Sequence, residues 1–177
     1  PVNDLHLMAA YTLSASKDIS GMPGSNASSA YSQLYTVQGP EFTGLQRTGS
    51  VIPGRAIASA SYTKKWKWEG FDTHVSLFYE GKTAGTYSFI YKGDMNKDGV
   101  LGCDLIYIPN KPTELQWASA SDMQQFWAFV NQDKYLSTHK GQYAGAYAAS
   151  APWFHTFDLR IAQDVAVRLG KTLHRLQ

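Results

Sequence analysis

Apolar and polar positions alternate with period two along His74–Tyr91, HVSLFYEGKTAGTYSFIY. Val75, Leu77, Tyr79, Tyr87, Phe89 and Tyr91 fall on one parity together with Thr73, Gly81, Thr83 and Gly85. His74, Ser76, Glu80, Lys82, Thr86 and Ser88 fall on the other, with Phe78, Ala84 and Ile90 as apolar exceptions. Successive side chains of a strand point to opposite faces, so the pattern predicts one strand with an aliphatic-aromatic face and a polar face. Strands of globular proteins usually run about five or six residues. A strand over 71–91 is far longer, and it predicts the wall of a large barrel.

The same alternation recurs elsewhere. Leu5, Leu7, Ala9, Tyr11 and Leu13 predict a strand over 3–17, and Ala56, Ala58, Ala60, Tyr62 and Trp66 one over 55–67. Phe157, Leu159, Ile161, Val165, Val167 and Leu169 predict a strand over 154–169, with Asp158, Arg160, Asp164 and Arg168 on its opposite face. A fifth strand begins at 172–177, after a tight turn at Gly170-Lys171. Between these lie the long segments 18–54 and 92–153. The first is rich in Gly, Ser, Pro and Asn without a sustained period. The second contains one helix, with Ser121 predicted as N-cap, Gln124 in capping-box position and Phe126, Phe129 and Val130 on one face. Gly141 marks the latest end expected for it.

Tight turns at Glu69-Gly70 and Gly170, long loops at the opposite ends, and Trp66, Trp68 and Phe71 beside a turn describe an outer-membrane type of barrel. The fold class predicted is therefore all-β: antiparallel strands forming part of a large transmembrane β-barrel, with long extracellular loops and a short loop helix. Five strands cannot close such a barrel, whose smallest members have about eight. The chain is expected to be one piece of a single barrel domain.

Composition agrees. The 177 residues include 11 Tyr, 5 Trp and 8 Phe, an aromatic content suited to the girdles at membrane interfaces. The net charge of +2 is small, and basic residues do not cluster with aromatics, so no nucleic-acid partner is expected. A single cysteine, Cys103, excludes an internal disulfide framework. No apolar run of about eighteen residues predicts a transmembrane helix.

The sharpest local motif is Asp94-Met95-Asn96-Lys97-Asp98-Gly99-Val100 within GDMNKDGVLGCD. Oxygen ligands at alternate positions, then a glycine and a backbone carbonyl, wrap Ca²⁺ in loops of this type. The candidate ligands are Asp94, Asn96, Asp98, the Val100 carbonyl and Asp104. Asp104 falls one position before the closing carboxylate of an EF-hand, so the loop is not a standard one. The competing reading is an Asp/Asn/Gly turn whose side chains cap their own backbone. Trp117, Phe126, Trp127 and Trp153 form either a ligand-stacking surface or the small core of a loop. His155 and Asp158 lack a located nucleophile, and no catalytic site or enzymatic activity is expected. The Asn26-Ala27-Ser28 sequon carries no weight.

The succession MAAYTLSASKD, GRAIASASYTKKW, SLFYEGKTAGTYSFIYKGDMNKDG, DLIYIPN, QDKYLSTHKGQYA and PWFHTFDLRIAQDV resembles the C-terminal barrel of a TonB-dependent outer-membrane receptor. More narrowly, it is similar to the Oar-like receptors of Bacteroidota, which carry an N-terminal carboxypeptidase-regulatory-like domain. The resemblance implies a barrel of about twenty-two strands around a plug, and uptake of a substrate across the bacterial outer membrane. It implies outer-membrane lipid, the rest of the barrel with its plug, and the TonB complex as partners. The substrate, and whether a surface lipoprotein caps the outer loops, stay open. The alternative to a transporter segment is a secreted or surface-exposed β-rich binding module stabilised by Ca²⁺. A third reading, a hydrolase with its site in the second long segment, has no visible nucleophile-base pair.

Overall fold

The computed structural model of the chain describes residues 4–22, 24–42, 44–170 and 172–176. Strand accounts for 41% of the structure, with few helices. Among the described residues every ladder longer than a single bridge is antiparallel, and the architecture is all-β. Among the described residues no helix is long and apolar enough to cross a membrane. Two compact units emerge: Pro1–Ser14, Pro53–Ala84 and Pro152–Gln177 form one, Ala15–Ile52 and Gly85–Ala151 the other.

The first unit is built on a four-stranded sheet whose strands are neighbours in chain order: β1 (Asp4–Leu13), β2 (Gly54–Lys65), β3 (Asp72–Thr83) and β4 (Trp153–Gln163). Register converts the alternation into cross-strand rows. Leu5, Tyr62, Val75 and Ile161 form one row, and Leu7, Ala60, Leu77 and Leu159 the next. Ala9, Ala58, Tyr79 and Phe157 follow, then Tyr11, Ala56, Gly81 and His155. The intervening rows carry His6, Ser61, Ser76 and Arg160, then Met8, Ser59, Phe78 and Asp158, then Ala10, Ile57, Glu80 and Thr156. A one-residue slip would invert every side chain; the observed register puts the aliphatic and aromatic set on one face.

The strands are shorter than the alternation suggests. β1 stops at Leu13 instead of 17, and Lys17–Asp18 pairs with Gln46–Arg47 in the second unit. β3 stops at Thr83 instead of Tyr91. Gly85 has φ of +130°, a conformation closed to other residues, and beyond it Thr86–Tyr87 pairs with Ala149–Ser150. The expected strand 154–169 breaks at Asp164, whose amide donates to the Asp72 carbonyl at 2.8 Å. The chain then forms a separate hairpin, β5 (Val165–Leu169) with β6 (Thr172–Leu176), around Gly170. Residue 3, Lys171, Gln177 and the Leu169 side chain lie outside the described residues.

The two long segments are not bare loops; they make the second unit. Its core is Ile106, Ile108, Val130, Leu136 and Ala144, with Phe89, Tyr91, Phe126 and Tyr135 packed against it. Two helices contribute, α1 (Ala27–Tyr31) and α2 (Ala120–Gln132). Asn26 caps α1, its Oδ1 accepting the Ser29 amide at 2.9 Å while Ser29 Oγ accepts the Asn26 amide at 3.1 Å. In α2 the cap is Ser119, not Ser121. Ser119 Oγ accepts the Asp122 amide at 3.1 Å, and Asp122 adds a carboxylate to the first turn, where the helix dipole favours it. Ser121 sits inside that turn and receives Gln125 Nε2 at 3.1 Å. The helix stops at Gln132 because Asp133 turns extended, its carboxylate accepting the amides of Tyr135 and Leu136 at 2.8 Å each.

Candidate functional site

The apolar face of the sheet is exposed. Leu7 retains 72% of its surface, Leu159 65% and Ile161 67%. Proteins in water rarely leave a contiguous apolar area of this kind uncovered. The opposite face carries charge: Glu80 accepts Arg55 Nε at 2.7 Å and Lys82 Nζ at 3.0 Å. That face mixes the charges with exposed Met8, Phe78 and Phe154, whereas the other carries the aliphatic rows.

Aromatic rings sit at both ends of the apolar rows. At one end Trp66, Trp68 and Phe71 pack edge to face around the β2–β3 turn, with centroids 6.4 and 5.4 Å from Phe71, and Trp66 Nε1 donates to Thr73 Oγ1 at 2.9 Å. At the other end Tyr11 and Trp153 stack at 6.4 Å. Tyr79 stacks on His155 at 5.9 Å, with a Tyr79 hydroxyl–His155 Nδ1 hydrogen bond of 2.9 Å. Trp153 thus belongs to β4 of the sheet. A strand of about ten residues, rising about 3.3 Å each and tilted by about 40°, spans about 25 Å, the height of the apolar band of a membrane barrel.

The acidic loop uses its side chains first to hold its own backbone. Asp94 accepts the Asp98 amide at 3.2 Å and the Gly99 amide at 2.9 Å. Asn96 Oδ1 accepts the Asp98 amide at 2.9 Å, and Asp98 Oδ1 accepts the Val100 amide at 2.8 Å. Asp104 Oδ2 accepts the amides of Met95 and of Asn96 (3.2 Å). So Asp94, Asn96, Asp98 and Val100 share one network, and Asp104 joins it through backbone donors. Among the described residues no three His, Cys, Asp or Glu side chains converge as a metal-binding group.

Asp104 is itself 2% exposed, and its Oδ1 has no hydrogen-bond partner among the described residues. Its backbone is a junction: its carbonyl accepts the Tyr91 amide at 2.8 Å, and the neighbouring Cys103 carbonyl and Leu105 amide bond Thr36 at 3.1 and 2.8 Å. The Cys103 thiol donates to the Ser32 carbonyl at 3.2 Å. Burial, then the charges of Asp104 and Asp98, push that thiol above its ordinary range, which leaves it protonated and inert.

Trp117 packs on Phe126 at 5.3 Å and donates to the Pro112 carbonyl at 2.6 Å. Together with Phe89, Met95 and Phe129 they line a cavity of about 530 Å³. A second cavity of about 490 Å³ is walled by Tyr91, Tyr107, Tyr143, Asn96 and Asp104; nothing in the spacing of these residues announced it. Trp127 instead lies under Lys140 Nζ, 4.9 Å from the ring centroid. His155 and Asp158 differ in parity and occupy opposite faces of β4, so they form no catalytic pair. His74 bonds Thr63 Oγ1 at 3.0 Å and Asp164 at 3.2 Å, fastening the strand ends where β4 breaks.

No family model matches the chain, and no curated protein or solved structure matches it either.

Proposed function

We propose that the four-stranded sheet is part of the wall of a large outer-membrane β-barrel, and that the chain is a segment of a TonB-dependent receptor of the Oar-like type. In this reading the apolar rows face lipid and the Arg55–Glu80–Lys82 face lines the interior, against water or the plug. The Trp66–Trp68–Phe71 cluster belongs to the periplasmic girdle, and the second unit to the cell surface, where it meets substrate or a capping lipoprotein. The remaining strands, the plug and the contact with TonB come from the rest of the receptor.

The observation that carries this reading is the exposed apolar face, with Leu5, Leu7, Leu77, Phe157, Leu159 and Ile161 in three adjacent cross-strand rows. A secreted binding module would need that face buried. The hydrolase reading gains nothing from His155 and Asp158, which point apart. Trp66, Trp68 and Trp153 supply the test. With the protein in vesicles, lipids brominated near the headgroup should quench their emission more strongly than lipids brominated at the chain ends. Absence of quenching by either lipid would remove the membrane assignment.

A further inference from the structure

We infer that the segment 94–104 is a Ca²⁺ site, and that its ion locks the backbone junction at Asp104. The loop presents only oxygen donors: the carboxylates of Asp94 and Asp98, the Asn96 amide oxygen and the Val100 carbonyl. Asp94 Oδ1 and Oδ2, Asn96 Oδ1 and Asp98 Oδ1 each accept one backbone N–H and keep a second lone-pair site, while Asp98 Oδ2 accepts Asn96 Nδ2 at 3.0 Å, a bond the ion would replace. All-oxygen donor sets suit Ca²⁺ and Mg²⁺, and irregular loops of six to eight oxygens favour Ca²⁺ over the strictly octahedral Mg²⁺.

Independent of the loop's pattern is the state of Asp104. Its carboxylate is almost wholly buried, and only Oδ2 is satisfied. Oδ1 is enclosed without a donor. A buried carboxylate oxygen left without a partner is costly, and here the same carboxylate already faces the Met95–Asn96 backbone of the loop. A divalent cation held by Asp94, Asn96, Asp98 and Val100 would give Oδ1 its partner, and would have to close on Asp104 a set of carboxylates that does not converge among the described residues.

The consequence reaches beyond the loop. Asp104 is tied through backbone bonds to Tyr91 and, by its neighbours, to Thr36. Met95 lines the cavity that holds Trp117, and Asn96 and Asp104 line the adjacent one. Ion binding therefore orders both long segments and fixes the walls of both cavities. None of this depends on the sheet facing lipid.

The test is isothermal titration of the metal-free full chain with CaCl₂, followed by limited proteolysis. The expected result is one Ca²⁺ per chain, binding at least tenfold tighter than Mg²⁺, and slower cleavage within 94–104. Asp104→Asn keeps an acceptor for the Met95 and Asn96 amides but removes the charge; it should weaken Ca²⁺ at least tenfold, as should Asp98→Asn. Asp158→Asn, on the sheet, should leave binding unchanged. Absence of saturable binding, or equal affinity in folded Asp104→Asn and Asp98→Asn proteins, overturns the site. Protection by n-butylammonium equal to that by Ca²⁺ also overturns it, because Asp104 would then serve an organic cation.

Discussion

Tyr11 and Trp153 stack across the full width of the sheet, although they lie on its two edge strands. Their centroids are 6.4 Å apart and their planes within 4°. The central strands allow this by carrying small residues, Gly54, Ala56 and Gly81. A Cβ on Gly54 would stand 2.8 Å from Trp153 and 3.3 Å from the Tyr11 hydroxyl. A double-mutant cycle of Tyr11→Ala and Trp153→Ala, read by urea unfolding in vesicles, should give a coupling of about 0.5–1.5 kcal/mol. Introducing Gly54→Val should abolish that coupling.

Leu159 and Ser59 occupy adjacent rows on opposite faces. If the aliphatic face meets lipid, Leu159→Arg costs about 2–4 kcal/mol near the midplane. Ser59→Arg, paired with Met8 and Phe78 on the face away from lipid, should change stability far less. In a chain whose aliphatic face meets water, Leu159→Arg would cost almost nothing, because the side chain is already exposed.

What the sequence made legible follows from what alternation encodes. Parity alone assigned Leu5, Leu7, Val75, Leu77, Leu159 and Ile161 to one face, and the register places them in shared rows. Parity is blind to the sign of φ, however. The pattern therefore ran through Gly85 to Tyr91, where the backbone turns away and Phe89 and Tyr91 pack on a different core. The break at Asp164 was hidden for a similar reason: Val165 and Val167 keep the parity of Ile161 while pairing with β6. The second unit was illegible because its core draws single residues, such as Ile108, Val130 and Leu136, from segments without a common period. The Asp94–Asp98 turn was visible, since Asx-type bonds depend on residues two to five apart. The burial of Asp104 was not, because the backbone around it pairs with Thr36 and Tyr91, far away in the chain.

Ser119 rather than Ser121 caps α2, and the two serines make a matched pair of tests. Ser119→Ala should destabilise the second unit by about 1 kcal/mol, measured by thermal or urea unfolding. Ser121→Ala, within the helix, should be close to neutral. Equal losses at both positions would return the cap to Ser121.

Cys103 and Tyr147 both ionise above their ordinary ranges, burial being the largest cause in each. A group whose folded pKa is raised contributes stability below its unfolded pKa and loses it as pH rises through the folded one. Stability of the second unit should therefore be flat through neutral pH and fall in the alkaline range, above the ordinary thiol value. Cys103→Ala should make that alkaline fall shallower. In the folded protein Cys103 should resist iodoacetamide at pH 8, and unfolding should release it.

The most direct measurement of the central claim is nitroxide scanning of the sheet in lipid vesicles. Labels at positions 7, 77 and 159 should be relaxed strongly by oxygen and weakly by a water-soluble nickel chelate. Labels at 61, 76 and 158, on the opposite face, should lack that preference for oxygen. Strong nickel relaxation at 7, 77 and 159, or immobilised labels there that neither reagent reaches, would contradict a lipid-facing wall.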